Sequence, residues 1–327
     1  SGGAYSTTGN GGTLDLRKVY FSLFTGQSHS PMFPSQTDFT MKLNDAKVDN
    51  AAGWALQGNL VINDLGGTTL SHVANVGNTT WNATLEKIGT GAFTLNRTGG
   101  TATVAVGAKL LNNSTGTGRI DIGGTADPLH DLSSGNKVTI ENNADTYTSA
   151  TANHGLNFSG GAAKTAKEIV TTLGTPTVGT LRVTGSDTVL ATEKVIQRVV
   201  SVNAGATLKI AADPTTSQMQ ALNLDGGIGA WTAALDIDTN RLVYDYNNAT
   251  TAATPYATVK DQIISGYADG LWTGQGIRST DAAGNPVHAV GYSESVNVSL
   301  PGGIWAFGNS TAVDADAVLV ATTRIGA

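Results

Sequence analysis

The side chains whose type and spacing could do chemistry are five histidines, two pairs of aspartates, nine Asn-x-Ser/Thr sequons and five tryptophans. The histidines (His29, His72, His130, His154, His288) form no His-x-x-x-His or His-Glu-x-x-His pattern. They read as surface or turn residues, not zinc ligands. No Gly-x-Ser-x-Gly elbow places a serine nucleophile, there is no cysteine for thiol chemistry, and no Gly-x-x-x-x-Gly-Lys-Ser/Thr loop cradles a phosphate. Asp236, Asp238 and Asn240 are spaced like the start of a calcium loop. The sixth position is Arg241 where glycine is needed and the twelfth is Asn247 where glutamate is needed, so a hairpin turn is expected. Asp314 and Asp316 invite the same reading. Acids at strand corners are the one candidate for calcium; no other cofactor is indicated. The sequons at Asn78, Asn82, Asn96, Asn112, Asn113, Asn157, Asn248, Asn297 and Asn309 are glycosylation acceptors by pattern and turn composition by context. Trp272 and Trp305 could stack on sugar rings, or simply pack in a cap or core.

These residues sit in a chain of 327 residues with 13% charged residues, a formal net charge of −6, 41 Gly, 46 Thr and no Cys. There is no surplus of Lys and Arg to neutralise phosphates, which excludes a strongly basic nucleic-acid binder. A disulfide framework is impossible. With 40% hydrophobic residues and little net charge, disorder is not expected. No apolar run reaches the roughly 20 residues of a membrane span. The chain opens at Ser1 without a basic and apolar leader, as a mature end left by a removed signal peptide would. Ser1–Gly12 reads as a mobile tail or linking arm.

Period-two alternation dominates what positions the side chains. Val104 and Val106, Ile120 and Ile122, Val138 and Ile140, Leu181 and Val183, Val200 and Val202, Leu208 and Ile210, and Val296, Val298 and Leu300 each alternate with Thr or polar residues. That pattern puts one face of a strand inward and the other out. Clusters of Gly and Asn separate the runs and supply turn conformations. Strands every 8 to 12 residues or so fit a sandwich, a barrel or a solenoid. Three helices are expected. One carries Ala162, Ala166, Ile169 and Leu173 on a face and stops at Gly174. A better marked one has Thr254 as cap, Pro255 in first position, Tyr256, Val259 and Ile263 on one face, and Gly266 as stop. The third and weakest is Thr216 to Leu222. Three zones result: an irregular arm and lead-in at 1–60, the strand and turn cadence at 61–215, and a β-rich cap or assembly region at 216–327.

Two stretches carry a family resemblance. Thr84 to Asn112, TLEKIGTGAFTLNRTGGTATVAVGAKLLN, resembles the autotransporter-associated β-strand repeat through Lys87, Gly89, Gly91 and Leu95, then Val104, Gly107 and Leu110. Val202 to Ile210 matches its second half through Val202, Gly205 and Leu208; upstream, VLATEKVIQRVV departs from it. The C-terminal order, LDIDTNRLVYDY, the Pro255 helix, GLWTGQGIRST and VGYSES, resembles the segment that follows such repeats in secreted bacterial surface proteins. The resemblance covers about half the chain. It implies an all-β fold, a right-handed parallel β-solenoid with a small C-terminal capping region containing one or two short helices. It implies export to the cell surface or beyond, and no catalytic activity.

The expectation is therefore an exported structural protein, a self-associating subunit of an extracellular filament or surface layer. Its partner would be itself, with surface polysaccharide as a second candidate, and neither nucleic acid nor a membrane span is involved. An arm over residues 1 to about 40 could add a strand to the next subunit. The alternatives are an adhesin or carbohydrate-binding module, a polysaccharide lyase or hydrolase, and a phage fibre.

Overall fold

A computed structural model describes residues 12–17, 20–23, 32–33, 39–44, 47–50, 54–56, 59–64, 72–76, 78–144, 155–211, 215–246, 254–298, 313 and 315–324. The chain falls into two compact units, Ser1–Lys167 and Glu168–Ala327. Both are β-rich, with parallel sheets and, among the described residues, no closed barrel.

In the first unit the chain visits three sheets in turn. Strands Gly12–Arg17, Phe39–Asn44, Asn59–Asp64, Thr84–Gly89, Lys109–Ser114 and Thr139–Asn142 lie side by side in that order, all parallel. His72–Val76, Ala92–Arg97, Arg119–Gly123 and Gly155–Phe158 make a second parallel row. Met32–Phe33, Trp54–Leu56, Thr79–Trp81 and Ala102–Val104 make a third. The short strands Tyr20–Leu23 and Lys47–Asn50 pair with each other. The lead-in segment expected to be irregular thus supplies strands to the same parallel sheets. Ser1–Gly11 lie outside the described residues.

The registers carry the packing. Met41, Leu60, Leu85, Leu110 and Ile140 occupy one position in successive strands. Leu85, Leu110 and Ile140 are fully buried, and Leu60 nearly so. Phe93, Ile120 and Leu156 form a second column, and Leu95, Ile122 and Phe158 a third. Inward alternation places one apolar side chain above another, and each buried Leu or Ile contributes roughly 2 kcal/mol of transfer free energy. A step of 25 residues from Leu85 to Leu110 makes one circuit, and the repeat-like stretch Thr84 to Asn112 contains it. Gly89 and Gly107 turn its corners at φ of 81° and 83°. Val106, expected inward, lies beyond its strand at that second corner and is 90% exposed.

The second unit repeats the principle. Thr180–Val183, Ile196–Val202, Thr216–Leu224 and Arg241–Asp245 run parallel. Val189–Thr192, Thr207–Ile210, Ala234–Asp236 and Gly276–Arg278 form a second parallel row, with Leu190, Leu208, Leu235 and Ile277 in one fully buried column. The first row then changes sense: Ala317–Arg324 pairs antiparallel with Arg241–Asp245, and His288–Glu294 antiparallel with it.

Two expected helices are strands. Thr216–Leu224 is locked between two neighbours, and its first four residues are buried. Around 162–173 the chain forms the short strands Ala163–Thr165 and Ile169–Val170. Leu173, assigned to the apolar face, is 78% exposed, and Gly174 closes a turn back to Thr171. Local 3.6-residue spacing lost to strand pairing at both places. Val296 and Val298, expected on a strand, lie at a short 3-10 turn, Ser295–Asn297. The third helix is present as α1, Tyr256–Tyr267, with Thr254 Oγ1 accepting from Tyr256 N at 3.2 Å. A short second helix, α2, spans Thr280–Gly284 and is capped by Ser279, whose Oγ accepts from Ala282 N at 3.0 Å. Leu110→Ala is expected to cost about 3 kcal/mol in urea unfolding, and Val106→Ala less than about 0.5 kcal/mol.

Candidate functional site

The aspartates spaced like a calcium loop lie at the corner after Ala234–Asp236. This is not the expected hairpin, because the strands on either side of the corner belong to different sheets. Asp236 is buried. Its Oδ1 accepts from Asp238 N at 3.1 Å and Thr280 N at 2.9 Å, Thr280 Oγ1 donates to its Oδ2, and Arg278 Nε stands 3.9 Å from Oδ2. Lys209 Nζ is 3.4 Å from Asp238 Oδ2. The Asp238 carbonyl accepts from Ser279 Oγ at 2.7 Å and Thr322 Oγ1 at 2.5 Å. Asn240 is fully buried and donates to the carbonyls of Ile210 (3.0 Å) and Ala211 (2.5 Å). Oxygens that would face a cation already hold N–H groups, hydroxyls and two cationic side chains. The corner therefore fastens one strand row to its neighbours. Among the described residues no three of His, Asp and Glu converge on a point.

A second polar group lies inside the first unit, where the sequence reading looked only for apolar residues. Lys87, Asn112 and Asn142 occupy successive inward positions of one column, and all three are fully buried. Lys87 Nζ donates to the Ile88 carbonyl. Asn112 Nδ2 donates to Asn142 Oδ1 at 2.8 Å and to the Gly155 carbonyl at 3.0 Å, while its Oδ1 accepts from Ser114 N and Oγ. Nearby, buried Arg97 donates to the carbonyls of Gly99, Gly100 and Asp127. Lys164, also buried, donates to the Gly124 carbonyl at 3.0 Å. Desolvation pulls the Arg97 and Lys164 pKa values down, and the Asp127 charge partly opposes this. Desolvation pushes Asp127 up, against N–H donation from Leu129 and Thr165. These cationic and amide side chains satisfy their buried donors on backbone carbonyls.

Of the sequons, Asn78, Asn82 and Asn297 are exposed. Asn96, Asn113 and Asn157 are half-buried on strands; Asn113 accepts from Asn143 and Asn157 donates to Asp121. Asn112 is fully buried in the column just described, where no glycan fits. Asn248 and Asn309 lie outside the described residues. So do Trp305, Asp314, His29 and His154. Trp272 is 6% exposed and meets Tyr267 edge-on at 5.1 Å between ring centroids, so its faces belong to the fold and not to a sugar. His288 Nδ1 lies 2.5 Å from Asp281 Oδ2, joining its strand to α2. His130 forms a bridge with Lys137. The structure brings Asp236, Asp238 and Asn240 together, and among the described residues no other group of the candidates converges.

Helix α1 lies across Gly276–Arg278 through Val259, Gln262, Ile263 and Gly266. Gly266 does not stop the helix, which runs on to Tyr267. A Cβ there would stand 2.0 Å from the Ile277 carbonyl oxygen, and one on Gly276 would stand 2.2 Å from that of Gln262. The paired glycines allow helix and strand backbones to touch. The loop ending at Trp231 is fastened to the helix's other side, as Trp231 Nε1 and Gly229 N both donate to Asp261 Oδ2, at 2.6 and 3.0 Å.

Comparison with protein-family models, with curated proteins and with solved structures finds no match to this chain.

Two outcomes are expected. Gly266→Ala forces helix and strand apart and lowers stability by about 3 kcal/mol, measurable by thermal unfolding. The Asp131 carboxylate accepts from Ser133 N, Ser133 Oγ and Ser134 N, which holds its pKa well below the usual range. A carboxylate with a depressed folded pKa contributes stability above its unfolded pKa, and that contribution is lost as pH falls toward the folded value. The stability gap between wild type and Asp131→Asn therefore narrows as pH drops below about 3.9; chemical denaturation across that window checks it.

Proposed function

We propose that this chain is an exported structural protein of the cell surface, built on a right-handed parallel β-solenoid and acting through self-association. The observation that carries the reading is the unbroken register of parallel strands, with Leu60, Leu85, Leu110 and Ile140 stacked and Lys87, Asn112 and Asn142 stacked beside them. A chain that passes through three parallel rows in turn is the pattern of solenoid coils, and parallel crossovers are right-handed in nearly all proteins. Such an architecture is built from repeats that need only their neighbours, and its parallel edges are templates for further strands. The resemblance of Thr84 to Asn112 and of the C-terminal segment to secreted bacterial surface proteins supplies the compartment. The corner at Asp236, whose polar groups are consumed in holding strand rows together, suits a scaffold. Electron microscopy of purified protein over a concentration series tests the proposal: fibres or ordered sheets are expected, and particles that stay single at every concentration would overturn it.

A further inference from the structure

We infer that the outer face of α1 is the contact between two copies of this chain, related by a two-fold axis near Ile264. Four large apolar side chains gather there: Ile264 (58% exposed), Tyr267 (47%) and Leu271 (66%) along the helix and the turn that follows it, and Ile228 (80%) on the loop beside it. The helix faces its own strand with Val259, Ile263 and Gly266, and Tyr267, which meets Trp272 edge-on, still leaves about half of itself exposed. The presentation is rigid. Asp261 ties down the Ile228 loop through Gly229 N and Trp231 Nε1. The turn beyond the helix is fixed by Trp272 N donating to the Tyr267 carbonyl at 2.9 Å and Gly274 N to that of Gly266 at 3.2 Å, although Ala268, Asp269 and Trp272 all sit at positive φ. An exposed apolar cluster held rigidly in place marks an interaction surface.

The charges select the occupant. Lys260 and Asp269 are exposed, opposite in sign, and without an ion-pair partner among the described residues. They flank the apolar stripe, with Ile264 midway in sequence between them. When a second α1 is laid antiparallel on the first about an axis at Ile264, Lys260 of each copy comes to the Asp269 turn of the other. The apolar side chains then cover one another. A stripe that is its own complement under a two-fold is what an isologous interface requires. The inference rests on the self-association reading, and it names the face and its symmetry.

The chain has no cysteine, so a single introduced thiol reports the contact without ambiguity. Ile264→Cys, oxidised mildly, is expected to yield a covalent dimer, while Val106→Cys, a more exposed position in the first unit, does not. In sedimentation velocity, Ile264→Asp and Lys260→Asp are each expected to abolish the dimer. Combining Lys260→Asp with Asp269→Lys is expected to restore it. Circular dichroism identical to wild type confirms that these surface changes leave the fold intact. If the wild type associates and Ile264→Asp and Lys260→Asp leave that association unchanged, the α1 contact is overturned and the self-association reading stands. If Ile264→Asp disperses a dimer but no fibre or sheet is ever seen, the contact stands and the polymer reading fails. A wild type that sediments as a monomer overturns the contact outright.

Discussion

Parallel pairing without a register shift ties each inward position to the inward position of the strand before and after it. This constraint governs the composition of the core. Where one strand places leucine inward, as at Leu85, its partners must place a group that leucine can cover, and they supply Leu60 and Leu110. Where one places an amide inward, the only neighbour able to satisfy it is another polar group at the same height. Asn112 therefore sits beside Asn142 and beside Lys87, with carbonyls taking up the remaining donors. A lone asparagine in that column would leave an unpaired amide in a dry interior, at a cost of about 1–3 kcal/mol. Neighbouring polar residues of a column and the carbonyls around them must satisfy one another, and the columns are what align the strands.

The same constraint makes the end of a row expensive, because the last parallel strand exposes a ladder of unpaired backbone groups. In the second unit this is resolved in two ways. One row reverses sense, with Ala317–Arg324 and His288–Glu294 added antiparallel. The other ends at Gly276–Arg278 and is crossed by α1, which can approach only because Gly266 and Gly276 remove the two Cβ atoms that would collide with carbonyl oxygens. A helix that covers an edge in this way keeps its inner face fully engaged and carries its remaining apolar residues outward. Ile264 and Leu271 are exposed for that reason.

How much of this could be read in the sequence depends on how local the cause is. Alternation at Ile120 and Ile122, or at Leu208 and Ile210, is set by neighbours two residues apart, and those side chains are inward as expected. Helix α1 has its punctuation written beside it in Thr254 and Pro255. Thr216 to Leu222 reads as a helix from its own residues and is a strand, since its state is imposed by Ile196–Val202 and Arg241–Asp245 on its flanks. Gly266 has the position of a stop signal, but its function depends on Ile277, eleven residues on. Asp236, Asp238 and Asn240 stand out as a group, yet their partners come from elsewhere, Lys209 and Arg278 from other strands and Thr280 from α2. The buried Lys87 was visible only as part of a repeat-like motif; nothing in its local sequence distinguishes an inward lysine from an outward one.

The low charge content acquires a structural meaning from these placements. Charged residues are 13% of the chain, and Lys87, Arg97, Lys164, Asp131 and Asp236 are buried. Each of them terminates hydrogen bonds that the strand ladder leaves open, so part of a small charge complement is used as internal fastening. What reaches the surface is sparse, and some of it is paired within a strand or between adjacent ones, as with Arg119 and Asp121 or Lys109 and Glu141. A surface with few charges has little long-range repulsion to keep copies apart, and its short-range contacts are then decided by places where charge and apolar area lie together. Within the second unit the outer face of α1 combines the two, which is why an association between copies would be governed there by side chains and not by the backbone ladder that builds the rest of the fold.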